Sequence, residues 1–221
     1  MNHEFNVINL DQRQDRLNKI KRMFSQFEFV KLRRFSAISH KIGWIGCALS
    51  HIRVVKEAKN RNLDYVIVLE DDTYIRDPVR FKQLFPRIMN YLQNNLEKWD
   101  LFQGNSTYSH YKPGQRVTLA DENLNIISYQ YGRTTNFIIY NKSIYDKLLS
   151  LETIYSNMQL TSYEKDSFDV RMLSGSPRIL TVLPFLSYQY TDLSNIENRV
   201  ISYDDVLDKN QNYLMKRLLS P

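Results

Sequence analysis

The feature that most constrains this 221-residue chain is an apolar run, Tyr65-Val66-Ile67-Val68-Leu69, that stops abruptly at three acids, Glu70-Asp71-Asp72. An uninterrupted β-branched and aromatic run of this length is the pattern of a strand covered on both faces. Such a strand needs helices above and below it, which restricts the chain to layered α/β architectures. Because strand residues alternate between faces, Glu70 and Asp72 share one side if the extended conformation continues past Leu69.

The flanking patterns agree with this restriction. Phe5-Asn6-Val7-Ile8-Asn9-Leu10 reads as a first strand, followed by Leu17, Ile20, Phe24 and Phe27 at helical spacing. Phe35-Ser36-Ala37-Ile38 is a short second strand; after a turn at Gly43, Ile45, Ala48, Leu49, Ile52 and Val55 mark a helix towards Asn60. Pro78 opens another helix, with Phe81, Leu84, Phe85, Ile88 and Leu92 on its apolar face, and Trp99-Asp100-Leu101-Phe102 reads as a strand. Residues 105–122, polar and holding Pro113 and Gly114, are expected to loop over the site, and strands are expected at 126–131, 136–140 and 178–183. Helices are expected at 142–151 and 166–173, with a polar tail from about Thr191. The expectation is an α/β fold with a mostly parallel central sheet and helices on both faces. It forms a single domain over 1–221, with a core at about 5–190 and a tail at about 191–221. Sheets of this kind bind ligands beyond the carboxyl ends of their strands, where the three acids fall.

A composition 43% hydrophobic and 13% aromatic, with only 6 Gly and 6 Pro, excludes disordered and fibrous classes. The net charge of +6 suits an anionic partner. The basic residues are scattered along polar helix faces, however, so no nucleic-acid partner is expected. The single cysteine, Cys47, cannot form an intrachain disulfide, and its apolar neighbours place it in the core rather than in a nucleophilic role. No apolar run approaches the ~20 residues of a membrane span, and the start lacks the apolar stretch of a secretory signal, so a cytoplasmic protein without a transmembrane segment is expected.

Three adjacent acids repel one another unless a cation or donors neutralise them, and carboxylate-only sites favour Mn²⁺ or Mg²⁺. Such an ion can hold the two phosphates of a nucleotide sugar. Taken alone, the triplet is equally readable as an acidic turn that faces water.

Further motifs bear on the choice. Val7-Ile8-Asn9-Leu10-Asp11-Gln12-Arg13-Gln14-Asp15-Arg16, then Phe35-Ser36-Ala37-Ile38, Ile45-Gly46-Cys47-Ala48-Leu49-Ser50-His51 and Val68-Leu69-Glu70-Asp71-Asp72 follow in an order that resembles glycosyltransferase family 25, which includes lipooligosaccharide and collagen galactosyltransferases. Thr135 to Tyr140, Phe168-Asp169 and Gln189 through Ser194-Asn195-Ile196 are similar to its later elements, although the usual proline shortly before the aspartate is absent at Ser167. The resemblance implies a GT-A-type fold, a D-x-D-like metal site and transfer of a hexose from a UDP-sugar, galactose or glucose, with inversion. The acceptor is then a hydroxyl on a glycan or protein.

On that reading Glu70 and Asp72 are the metal ligands. Inverting transfer also needs a carboxylate base away from the triplet, for which Asp169 is the first candidate and Asp166 the second. Asn9, Leu10, Arg13, Arg16, Ala37, Ser50, His51, Asp71 and Gln189 are the expected nucleotide-side residues. Arg13 and Arg16 offer bidentate guanidinium geometry, though pairing with Asp15 is an equally simple fate for them. Adjacent helical residues do not form a nucleophile–base pair, so Ser50-His51 is no hydrolase signature. A catalytically degenerate fold that binds a glycan or a protein is the alternative.

Overall fold

The computed structural model describes residues 2–110, 125–129, 131–157, 162–194 and 199–219. Two βα units open the chain: β1 (His3–Asn9), α1 (Gln14–Phe24), β2 (Val30–Ser36) and α2 (Gly43–Asn60), leading into β3 (Tyr65–Glu70). Next come β4 (Thr73–Tyr74), α3 (Pro78–Gln93), β5 (Leu101–Gln103), β6 (Tyr108–His110), β7 (Asn125–Tyr129), β8 (Tyr131–Arg133) and β9 (Phe137–Asn141). The remainder is α4 (Tyr145–Ser150), α5 (Glu152–Ser156), α6 (Tyr163–Asp166), α7 (Phe168–Leu173), β10 (Ile179–Leu183), β11 (Tyr188–Gln189), β12 (Asp192–Ser194), β13 (Arg199–Ile201) and α8 (Asp204–Leu219).

Seven strands form the central sheet in the order β2-β1-β3-β9-β5-β10-β7. β1 lies parallel to both β2 and β3, and β5 is parallel to β10, whereas β9 and β7 run against their neighbours. The sheet is therefore mostly parallel. Its middle strand behaves as the apolar run predicts. Ile67 and Leu69 pack on one face with Phe5, Val7, Phe85 and Phe137, while Val66 and Val68 pack on the other with Ile45, Ile52, Val55 and Leu148. α1 and α3 cover the first face; α2, α4, α5 and α7 cover the second. At about 25 cal/mol per Å² of apolar surface, this double burial is what makes β3 a fixed platform for the residues at its end.

The closing segment departs from the expected polar tail. α8 buries Leu207 and Leu214 against Ile127, Leu183, Phe185 and Tyr188. Between those two apolar turns lies Asn210, which is also buried and donates to the Ser106 carbonyl (2.7 Å) and the Ser109 hydroxyl (3.0 Å). A polar residue at the middle position of the stripe hides the helix from an apolar-periodicity reading. The predicted loop at 105–122 contains β6, paired antiparallel with β8, and its remainder from 111 onward lies outside the described residues.

Candidate active site

β1, β2 and β3 end together: Ile8 is in register with Glu70 and Asn9 with Ser36, so the residues that follow these strands meet along one edge of the sheet. Beyond Glu70 the extended conformation does not continue. The chain turns at Asp71 and Asp72, and Thr73 Oγ1 closes the turn by donating to the carbonyls of Glu70 (2.8 Å) and Asn136 (2.7 Å). Glu70 and Asp72 thus face the same cleft because of this turn, not through strand alternation.

Each acid has a different environment. Glu70 Oε1 accepts from Thr135 Oγ1 at 2.6 Å and lies 3.4 Å from His51 Nε2 and 3.8 Å from Cys47 Sγ. Burial pushes this carboxyl up, but His51, Thr135 and Cys47 together more than offset it, leaving Glu70 below the usual glutamate value. Both oxygens of Asp71 are engaged, one by Arg16 Nη1 at 3.0 Å and the other by Asn9 Nδ2 at 2.7 Å. Burial still holds Asp71 above its ordinary value. Asp72 Oδ2 receives only long contacts, from Arg16 and from Gln189 Nε2, each at 3.4 Å, and its Oδ1 is buried with no hydrogen-bond partner. Burial, then the neighbouring Glu70 charge, raises Asp72 to about 7.

The cleft has two halves of similar size, about 200 and 210 Å³, that share Glu70 and Cys47 as a common wall. Leu10, Gln12, Arg16, Ala37 and the acidic turn line the first. Trp44, Arg133, Thr135, Tyr163, Asp169 and Gln189 are among the residues lining the second. The helix-start motif shapes the wall between them. A Cβ on Gly46 would lie 2.4 Å from the Ile38 carbonyl, so only glycine lets α2 approach the loop after β2 this closely. One turn later, Ser50 Oγ accepts from Ile38 N (2.8 Å) and donates to the Gly46 carbonyl (2.6 Å). Cys47 and His51, also four residues apart, occupy the adjacent helix face against Glu70.

Of the residues singled out in the sequence, Leu10, Arg16, Ala37, Ser50, Glu70, Asp71 and Asp72 meet around the first half, and Asp169 and Gln189 line the second. Gln189 arrives through pairing of β11 with β4, which also sets the Tyr190 amide 2.8 Å from the Asp72 carbonyl. Asn9 and His51 are buried behind the acids and hold them from within; Asn9 in turn accepts from Arg34 Nε at 3.0 Å. Arg13 pairs with Asp15 (3.0 Å) and does not line either half. Asp166 is buried, ion-paired with Arg171, and accepts from the Ser162 amide at 3.1 Å. Asp169 stands in the first turn of α7, with one oxygen taking the Val170 amide at 2.9 Å.

Cys47 corrects the expectation of a core residue: it is half-buried and reaches the cleft. Four further contributors were not among the candidate site residues read from the sequence. Thr135 braces Glu70. Asn136 ties the acidic turn to β11 by donating to Thr73 Oγ1 (3.2 Å) and the Tyr188 carbonyl (3.1 Å). Trp44 and Tyr163 meet edge to face at 5.9 Å on the rim of the second half. The legible signal was the polar Thr134-Thr135-Asn136 cluster placed directly before an apolar strand.

A carboxylate-lined cleft at the carboxyl edge of a mostly parallel, two-sided sheet defines an α/β protein with its candidate ligand site at the strand ends. The model of glycosyltransferase family 25 (LPS biosynthesis protein) matches residues 41–148, from α2 through the acidic turn to α4, and the chain is similar to that family over this stretch. It is 29% identical over 155 residues to procollagen galactosyltransferase 1-A of Xenopus laevis, an alignment covering 66% of this chain and 24% of that protein. The chain thus spans about a quarter of the length of this curated relative. Among solved structures it is similar to A197 from STIV (TM-score 0.48, 13% identity, 91% of this chain and 94% of that one). It is also similar to a glycosyltransferase involved in the glycosylation of the major capsid of PBCV-1 (TM-score 0.49, 9% identity, 82% and 81%). Among the described residues no helix is long and apolar enough to cross a membrane.

Proposed function

We propose that this chain is a metal-dependent, inverting glycosyltransferase that moves a hexose, galactose or glucose, from a UDP-sugar to a hydroxyl of a glycan or protein acceptor. The observation that carries the reading is the two-part cleft, with the acidic turn on one side and Asp169 on the other, joined at Glu70. A displacement needs such an arrangement, because leaving group and attacking hydroxyl occupy opposite sides of the transferred carbon.

The residues present fit a hard divalent cation. Asp72 offers a buried, unpartnered oxygen, and Glu70 shares its cleft. The ion pairs of Asp71 and Asp72 both go to the single guanidinium of Arg16, so the three carboxylates keep an excess of negative charge. Asp72 and Glu70 would hold Mn²⁺ or Mg²⁺, which when bound supplies positive charge to the departing diphosphate. Arg16 adds fixed positive charge on the same side, and Asn9 keeps Asp71 from competing for the ion. Ala37 and Leu10 give the nucleoside a small and an apolar wall. In the second half Asp169 accepts the proton of the attacking hydroxyl, the role that Asp166, neutralised by Arg171, is not free to take.

Calorimetry and thermal shift with UDP-, GDP-, CMP- and dTDP-sugars, each with and without Mn²⁺, test the reading, since a ligand of the native state raises its stability. Binding of one UDP-sugar that requires the metal supports it. Absence of binding under every condition favours a degenerate fold that recognises a glycan or a protein instead.

A further inference from the structure

Cys47 and His51 present one α2 face to Glu70, and the donor atoms of all three residues lie within 4.8 Å of one another. The Sγ to Oε1 distance is 3.8 Å and the Nε2 to Oε1 distance is 3.4 Å. A tetrahedral zinc ion, with sulfur at about 2.3 Å and nitrogen and oxygen at about 2.0–2.2 Å, sets S···O and N···O edges of about 3.6 and 3.4 Å. Both edges that run to Glu70 therefore already stand at tetrahedral spacing, and the third, between sulfur and nitrogen, is no longer than 4.8 Å. Behind them, His51 Nδ1 is 2.9 Å from the Tyr140 hydroxyl, the kind of outer partner that fixes the ring of a ligating histidine. In front, Cys47 and Glu70 both border the cleft, which gives the ion an entry path and leaves a fourth position to water.

We propose that Cys47, His51 and Glu70 form a zinc site, distinct in donor chemistry from the oxygen-only position at Asp72. A sulfur and an imidazole nitrogen select zinc over manganese or magnesium, which prefer carboxylate and water oxygens. Binding forms the Zn–S bond as the Cys47 thiol proton leaves to water, while His51 supplies the Nε2 lone pair and Glu70 a carboxylate oxygen. One proton is released per ion from the thiol. Where the proposed transferase reading also holds, zinc opposes the manganese-dependent reaction, because it engages Glu70 at the wall between the two halves of the cleft.

Titration of the full chain with Co²⁺, a spectroscopic substitute for zinc, tests the site without relying on activity. The expected result is a thiolate-to-cobalt charge-transfer band with intense tetrahedral visible bands, all displaced by Zn²⁺. Cys47→Ala loses the charge-transfer band and weakens zinc by more than the 10–100-fold typical of outer partners, and Tyr140→Phe weakens it by roughly 10-fold. Mn²⁺ binding, followed by electron paramagnetic resonance, persists in Cys47→Ala. A wild-type protein with no charge-transfer band, or a band that survives Cys47→Ala, overturns the zinc site. A cobalt signature without any Mn²⁺ binding leaves the zinc site standing and removes the transferase cation instead.

Discussion

Asp72→Asn separates the electrostatic account of the acidic turn from a purely structural one. The Asp72 side chain is 16% exposed and its carboxyl is raised from 3.8 to about 7, by burial first and the Glu70 charge second. In the unfolded chain the group ionises above 3.8, whereas in the fold it keeps its proton to about 7. The native state thus binds more protons between these values, and metal-free stability falls as pH rises through that window. At about 1.4 kcal/mol per pH unit, the cost of the charge is about 2 kcal/mol at pH 5 and about 4 kcal/mol at pH 8. Asparagine keeps the shape without the charge, and Arg16 retains Asp71 as a partner. The variant is therefore expected to be more stable than the parent in EDTA, by an amount that grows by roughly 2–3 kcal/mol from pH 5 to pH 8. Urea unfolding at the two pH values measures it. Added Mn²⁺ reverses the ranking at pH 8, because the parent gains a ligand that the variant binds poorly. A stability difference that does not vary with pH, or a variant less stable than the parent at pH 8 in EDTA, refutes the reasoning.

Asp169→Asn is expected to leave UDP-sugar affinity within about twofold and to lower turnover by roughly 10² or more, read from UDP release against calorimetric Kd; full activity moves the base elsewhere. Asp166→Asn breaks a pair in which the aspartate is buried and Arg171 is about one-third exposed. It should cost about 1–3 kcal/mol in urea unfolding, with donor affinity unchanged. Leu214→Ala should cost about 2–5 kcal/mol, because its side chain is fully buried under the sheet edge; a cost under 0.5 kcal/mol shows that α8 does not pack as described.

What the sequence made legible follows from which signals are local. β3 was legible because both of its faces are apolar, and α1 to α3 because each shows one stripe at helical spacing. The direction of β9 was not legible. Its pairing with β3 and β5 is a long-range choice, and the residues Phe137 to Tyr140 look the same in a strand running either way. The two fates of the paired candidates Asp166 and Asp169 were likewise hidden, since they depend on how the break between α6 and α7 buries Asp166 against Arg171 and the Ser162 amide while leaving Asp169 on the cleft.

The acidic triplet shows why a motif can locate chemistry without assigning it. Glu70 still belongs to β3, so its side chain is committed to the face where α2 places Cys47 and His51. Asp71, the first residue of the turn, falls against α1 and the end of β1, and there Arg16 and Asn9 take both of its oxygens. Asp72, held by Thr73 below and by β11 at the side, keeps one oxygen without a donor in a position too buried for bulk water to neutralise it. A buried charge left unpaired is costly unless something else binds it. Two of the three acids thus have protein partners that account for them, and the third identifies where a cation would gain most.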